Sequence, residues 1–188
     1  LLATNPEVVT SDSFATAGPA QVWVLGSGTN FTSRMATAEQ RENLATALEK
    51  VPLAVLDAGA LNLIGEVSLS SEAHHILTPH QGELCGLLNR LRNGRFIHPE
   101  ALDDPGFAME TTIRAAEETG QTVLLKGSQT LVASPTGEHV TIGPNSAWLA
   151  TAGSGDVLAG IIGGIAAQNP QVAANNWLDI ARLAVQLH

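Results

Sequence analysis

An α/β fold, with a mostly parallel central sheet and helices on both faces, is predicted by three observations. Short apolar runs rich in β-formers alternate with segments of helical period, the pattern of crossover units whose helices cover the sheet. The runs are apolar throughout instead of alternating, as strands buried on both faces are. Four of them end in polar or glycine-rich loops, Gly26-Ser27-Gly28, Asp57-Ala58-Gly59, Thr78-Pro79-His80 and Lys126-Gly127-Ser128. Ligands of open α/β sheets collect at that edge, beyond the carboxyl ends of the strands, so the site is expected there.

Residues 21–25 (Gln-Val-Trp-Val-Leu) form the first expected strand. Residues 37–50 carry Leu44 and Leu48 four apart among polar neighbours, with Thr37 placed to cap an amphipathic helix. Residues 53–56 (Leu-Ala-Val-Leu) are a second strand and residues 75–77 (His-Ile-Leu) a third. From Gly82 the period turns helical, with Leu84, Leu87, Leu88 and Leu91 on one face. Residues 93–104 read as a loop, and residues 105–118 as a helix stopped by Gly120. Residues 122–125 make a fourth buried strand that runs into Lys126. Residues 130–134 and 139–142 flank Pro-Thr-Gly-Glu, a β-hairpin signal. The turn at 149–156 opens a long small-residue helix, and a last helix runs from about Asn175 to the end.

Composition narrows the function. Nine Lys plus Arg against eighteen Asp plus Glu leave a formal charge of −9 in 188 residues, the wrong sign for binding nucleic acid or an anionic membrane. A hydrophobic content of 44%, with aromatics at only 4%, supports a core built mainly of Ala, Val, Leu and Ile. The longest nearly apolar stretch, 157–167, is broken by glycines and too short to span a bilayer. No basic leader precedes Asn5 and the single Cys85 has no internal disulfide partner, so a cytoplasmic enzyme is expected.

Three constellations carry chemistry. In Ala152-Gly153-Ser154-Gly155-Asp156, glycines let the backbone approach a ligand, and the first N–H groups of the following helix make an anion hole for phosphate oxygens. Asp156, in the first helical turn, either stabilises the helix or serves as general base toward a hydroxyl that attacks a phosphoryl group. No Walker motif occurs. In Lys126-Gly127-Ser128-Gln129-Thr130, a lysine ending a buried strand is expensive to hide, so its ammonium should face an anion at the sheet edge. In Thr78-Pro79-His80-Gln81-Gly82-Glu83, His80 can donate to a polar substrate group and Glu83 can hold Mg2+ through water. Asp57 either lines the site or caps a short helix at 60–63, two readings of equal weight. Cys85 reads as a core residue instead of a nucleophile.

In order, the segments Val-Leu-Asp57-Ala-Gly-Ala-Leu-Asn, Leu-Thr-Pro-His80-Gln-Gly-Glu83, Leu-Lys126-Gly-Ser-Gln-Thr130, and Asn145 through Leu-Ala-Thr-Ala-Gly153-Ser-Gly-Asp156-Val-Leu-Ala-Gly-Ile-Ile resemble the ADP-dependent NAD(P)H-hydrate dehydratases. These are the carboxy-terminal YjeF-type domains of the ribokinase-like superfamily, and the resemblance covers essentially the whole chain. It implies a ribokinase-like fold and repair of nicotinamide cofactors hydrated at C6 (NADHX and NADPHX). ADP or ATP, with Mg2+, would phosphorylate the C6 hydroxyl, and elimination of phosphate would restore NADH or NADPH.

By the same resemblance Lys126, Gly127, Ser128, Gln129, Thr130 and Gly155 would hold the AMP portion of the nucleotide. Gly153, Ser154, Gly155 and Asp156 would supply the anion hole. Gly28, His80 and Asp156 would contact the hydrated cofactor, with Asp57 and Asn145 also on the substrate side and Asp156 as the base. Departures are small: Ser27 stands where the family has Pro in Gly-Pro-Gly, Gln81 where it has Pro, and Ser154 where it has Thr. A homo-oligomer and a functional partnership with an NAD(P)HX epimerase are also expected.

Two rival functions share the anion hole. One is a vitamin kinase acting on hydroxymethylpyrimidine, hydroxyethylthiazole or pyridoxal. The other is a nucleotide-binding paralogue without turnover. The Thr-Pro-His-x-Gly-Glu segment favours the dehydratase, since thiamine-pathway relatives more often carry Cys where Asp156 stands, and the presence of Lys126, His80 and Asp156 argues against decay. The chain starts Leu-Leu-Ala and stops inside a helical pattern, so residues 1–188 are expected to be one domain lacking its first strand-loop-helix and its C-terminal end.

Overall fold

The computed structural model describes residues 20–27, 38–70, 72–91, 96–143 and 151–188. A six-stranded sheet follows the order of the sequence: β1 (Trp23–Leu25), β2 (Leu53–Leu56), β3 (His74–Leu77), β4 (Thr122–Leu125), β5 (Thr130–Ala133) and β6 (His139–Ile142). The first four are parallel, and β5 and β6 add on antiparallel as the hairpin. The expected architecture is therefore present, with strand ends moved by one or two residues.

Both faces of the sheet are covered because both faces are apolar. Ala54, Leu56, Leu77, Val123 and Leu125 point into one core, where α1 (Ala38–Lys50), α2 (Gln81–Leu91) and α3 (Pro105–Thr119) supply Leu48, Leu84, Leu88 and Ala115. Leu53, Val55, Ile76 and Leu124, one residue out of phase, point into the other. That second core is closed by α4 (Ser154–Gln168), α5 (Pro170–Asn175) and α6 (Trp177–Leu187). The period of two along each strand thus feeds two hydrophobic layers. Each fully buried Leu or Ile stabilises the fold by about 2 kcal/mol.

The helix boundaries have local causes. Asp104 caps α3, its carboxylate accepting from the Phe107 N–H at 2.7 Å, and Pro105 fits the first helical position. Gly120 ends α3 in the left-handed region, at φ 65°. Gln121 then continues the sheet where β4 has not begun: its Oε1 accepts from the His75 N–H at 2.6 Å.

One element is added and one expectation is corrected. The last helix, expected from about Asn175, is α6, which starts at Trp177 because Asn176 leaves helical geometry and its side chain accepts from the Leu178 N–H, capping the start. Pro170 opens the short α5, whose six residues carry too little periodicity to be read from sequence. Within the segment expected as a loop, Pro99–Asp103 forms a 3-10 turn that buries Leu102. Thr37, expected to cap α1, lies outside the described residues. Among the described residues no helix is long and apolar enough to cross a membrane.

Candidate active site

The carboxyl ends of β1 to β4 lie side by side, and each exit is built by a different device. At the end of β1, Gly26 has φ 106°, and a Cβ there would lie 1.9 Å from the Asp57 carbonyl oxygen. Only glycine lets the β1 exit pass so close to the β2 exit. Asp57 follows β2, tied to β1 by its N–H on the Leu25 carbonyl at 2.9 Å. At the end of β3, the buried Thr78 donates its N–H and its hydroxyl to the Leu56 carbonyl, at 2.9 and 3.3 Å. Next to it the Pro79 carbonyl accepts from the Lys126 N–H at 2.8 Å, and His80 and Lys126 form a parallel bridge that prolongs the β3–β4 pairing.

The structure decides between the two readings of Asp57. It occupies the cap position of the 3-10 turn Ala58–Leu63, yet its side chain makes no capping bond. Its carboxylate, only 2% exposed, instead accepts from Lys126 Nζ at 2.7 Å. The anion expected opposite Lys126 is thus an internal one, arching across the end of β3 from β2 to β4. Ala58, next to Asp57, sits at φ 43°, a strained conformation that persists because the surrounding exits hold it.

His80 is oriented by the helix it precedes. Its Nδ1 accepts from the N–H groups of Gly82 and Glu83, at 3.0 and 3.3 Å. A ring nitrogen that accepts two N–H groups carries no proton, so the ring's donor is Nε2, which lies 3.6 Å from Glu83 Oε2. Glu83 closes the box by accepting from the His80 N–H at 2.9 Å, the reciprocal arrangement of a capping box. Gly82 has no Cβ to press on the ring, whose Cε1 would lie 3.0 Å from it.

The glycine-rich turn meets these strand ends from the opposite layer. Gly153, at φ 90°, precedes α4, and Ser154, Gly155 and Asp156 form its first turn. A Cβ on Gly155 would lie 3.1 Å from Lys126 Nζ, so the ammonium rests against the helix start. Asp156 is the next residue and is exposed. Lys126 thus touches three of the neighbouring positions, His80 through its backbone bridge and Gly155 and Asp57 through its ammonium. Gly127, Ser128 and Gln129 turn the chain at the surface between β4 and β5, while Thr130 is buried at the start of β5. Gly28 and Asn145 lie outside the described residues.

Sequence reading missed two residues here. Gln81 and Asp103 line a cavity of about 130 Å³ together with Lys126, Gly127, Ser128 and Gln129. Their one signal in sequence was position: Gln81 within the Thr-Pro-His segment, and Asp103 just before a helix cap. A larger cavity, about 530 Å³, lies near the amino ends of β3 and β4, lined by His74, Gln121, Thr122, Ser134, Glu138 and Trp177 among others. It is at the wrong edge of the sheet for the strand-end chemistry.

Among the described residues no group of three or more His, Cys, Asp or Glu could hold a metal ion. That donor set fits Mg2+ only in the manner usual for nucleotide sites, carried by phosphates and touched by one carboxylate. Glu83, with one oxygen engaged by the His80 N–H, has a second left for such a contact. Cys85 is buried on α2, and burial raises its thiol pKa, as suits a core residue.

Comparison with known proteins agrees with this geometry. Residues 2–184 match the family described as NAD(P)H-hydrate dehydratase. The bifunctional NAD(P)H-hydrate repair enzyme Nnr of Corynebacterium glutamicum is 39% identical over an alignment covering 87% of this chain and 28% of that protein. The ADP-dependent (S)-NAD(P)H-hydrate dehydratase of Neisseria meningitidis serogroup B is 36% identical, over 95% of this chain and 60% of that one. The chain thus spans less than two thirds of the length of these relatives. In fold it is similar to the Bacillus subtilis ADP/ATP-dependent NAD(P)H-hydrate dehydratase co-crystallized with ATP/Mg2+, with a TM-score of 0.71 at 22% identity, covering 98% of this chain and 63% of that chain. The ordered motifs, the mostly parallel sheet that brings them to one edge, and the match along nearly the full length lead to one assignment: the chain belongs to the NAD(P)H-hydrate dehydratase family.

Proposed function

We propose that this chain carries the catalytic layer of an ADP- or ATP-dependent dehydratase that restores NADH or NADPH from their C6-hydrated forms. The observation that carries the reading is the contact of Lys126 with the start of α4, one residue before Asp156, at the same sheet edge as the Nε2–H of His80.

His80 donates its Nε2 proton to a polar group of the hydrated cofactor and fixes its orientation. Asp156 accepts the proton of the C6 hydroxyl as that oxygen bonds to the terminal phosphorus of the nucleotide, whose bond to its bridging oxygen breaks to release AMP from ADP or ADP from ATP. Backbone N–H groups in the first turn of α4 stabilise the charge on the transferred phosphoryl oxygens. The residues from Lys126 to Thr130, with Gly153, Ser154 and Gly155, hold the nucleotide. Breaking the C6–O bond then expels phosphate, a far better leaving group than hydroxide. The ring nitrogen pushes the electrons and a C5 proton is lost. Mg2+, carried by the nucleotide with Glu83 reaching it through water, would supply charge neutralisation. Gly28 and Asn145 belong to the substrate side of this reading. Action alongside an NAD(P)HX epimerase fits relatives named as bifunctional repair enzymes, and the cytoplasm is the compartment this reading assigns.

The test is an absorbance assay. Hydrated NADH with ADP and Mg2+ is expected to regain the reduced-nicotinamide band, and Asp156→Asn to abolish the recovery while ADP still binds. Robust turnover by the Asn variant removes Asp156 from the mechanism. A stable phosphate ester of a vitamin alcohol as product would instead assign the chain to the sister kinases.

A further inference from the structure

We propose that Asp57 is a positioning residue for nucleotide chemistry. It holds the Lys126 ammonium against the start of α4, so that this charge serves the phosphoryl group in transfer instead of clamping the resting nucleoside diphosphate. The inference rests on the dehydratase reading and names a part of its machinery.

The geometry is specific. Asp57 and Lys126 leave β2 and β4, with β3 between them, and the lysine side chain spans the gap to reach Asp57 Oδ1 at 2.7 Å. Both ends are anchored by backbone: Asp57 by its N–H on Leu25, Lys126 by its N–H on Pro79 and its bridge to His80. Gly26 lacks the Cβ that would push the Asp57 peptide away. The same ammonium lies against Gly155 in the first turn of α4.

A cation at a helix N-terminus is in the unfavourable place, because that end of the helix is already positive. Two positive sources there, uncompensated, would bind a polyanionic nucleotide tightly in its ground state, which does nothing for the chemical step. The carboxylate of Asp57 cancels the formal charge of the ammonium and fixes its position at once. Binding strength is thereby moderated, and the ammonium is held where charge develops on transfer.

The test is a double-mutant cycle read by ADP titration calorimetry and by turnover of hydrated NADH. Asp57→Asn is expected to bind ADP about fivefold tighter, since a nearby anion is removed, while kcat falls about tenfold or more because the ammonium is no longer placed for the transition state. In a Lys126→Met background the same Asp57→Asn change is expected to leave kcat unaltered, because no ammonium remains to be placed. A purely structural Asp57 would give unchanged or weaker ADP binding in a folded Asn variant, and that result overturns the proposal. So does an identical fall in kcat in the Lys126→Met background. Should Asp57→Asn fail to fold, Asp57→Glu decides: ADP affinity within about twofold of wild type with reduced kcat supports the proposal, and unchanged kcat overturns it. Wild-type protein that binds no ADP overturns the dehydratase reading itself. Wild-type binding and turnover with a silent pair overturn this inference alone.

Discussion

Acidification from about pH 7.5 to about pH 4.5 is expected to destabilise the fold through His75 alone by about 2.5 kcal/mol. His75 lies on β3, fully buried, and among the described residues neither ring nitrogen has a hydrogen-bond partner. Burial first, and the neighbouring His74 second, lower its pKa from 6.5 to about 4. The unfolded chain therefore takes up the proton before the folded one does. The stability owed to the neutral ring is complete above pH 6.5, is lost as the pH falls from there, and the loss levels off below about pH 4. A shift of this size is worth about 3.4 kcal/mol in the limit, most of it already lost at about pH 4.5. For a chain of this length the loss corresponds to a fall of about 5–10 °C in Tm.

The assay is urea unfolding at a series of pH values for wild type and His75→Leu. Groups that both proteins share, Asp57 included, cancel in the difference. Wild type should lose stability relative to the Leu variant as the pH drops through this window. Parallel pH profiles would refute the reasoning, because they would mean that the ring takes up its proton without leaving the core.

Four other outcomes are expected. Gly26→Ala should cost at least about 3 kcal/mol in chemical denaturation, since its Cβ would lie 1.9 Å from the Asp57 carbonyl and its φ of 106° strains any L side chain. Lys126→Met should cost about 3–5 kcal/mol by leaving the Asp57 carboxylate buried without its partner, and adding Asp57→Asn should recover most of that in the same denaturation assay. Asp104→Ala should cost about 1 kcal/mol, read as a small drop in Tm, because the cap on Phe107 of α3 is lost. Gly155→Ala should change stability by less than about 1 kcal/mol, since the Lys126 tip is a flexible end that can yield. It should nonetheless reduce turnover of hydrated NADH, because the new methyl would lie 3.1 Å from Nζ and displace the ammonium.

Most of the fold was legible because it is carried by local patterns. Leu53 to Leu56 and Thr122 to Leu125 read as strands since each is a short apolar run closed by a polar residue, and the folded sheet buries every one of their side chains. Gly120 was legible as a helix stop because the conformation it adopts suits a residue without a Cβ. The short α5 before Asn176 was not legible. Its six residues carry too little period, and Asn176 separates it from α6, whose first residue, Trp177, is held by a contact far away in the chain. The indole Nε1–H donates to the His74 carbonyl at 2.9 Å, which ties α6 to the start of β3.

The sequence by itself determined which chemical groups gather at one edge of the sheet, since apolar runs ending in Asp57, His80 and Lys126 have those residues at the carboxyl ends of their strands whatever the packing. It also determined that a glycine-rich helix start with an acid in its first turn is available to meet them. Only the tertiary structure decided the partnerships. Capping or pairing for Asp57 differ little in local energy, and the choice was made by a lysine 69 residues away whose ammonium needs an anion once it is taken out of water. Contacts between residues so distant in the chain leave no periodicity behind, because they exist only after the layers have packed.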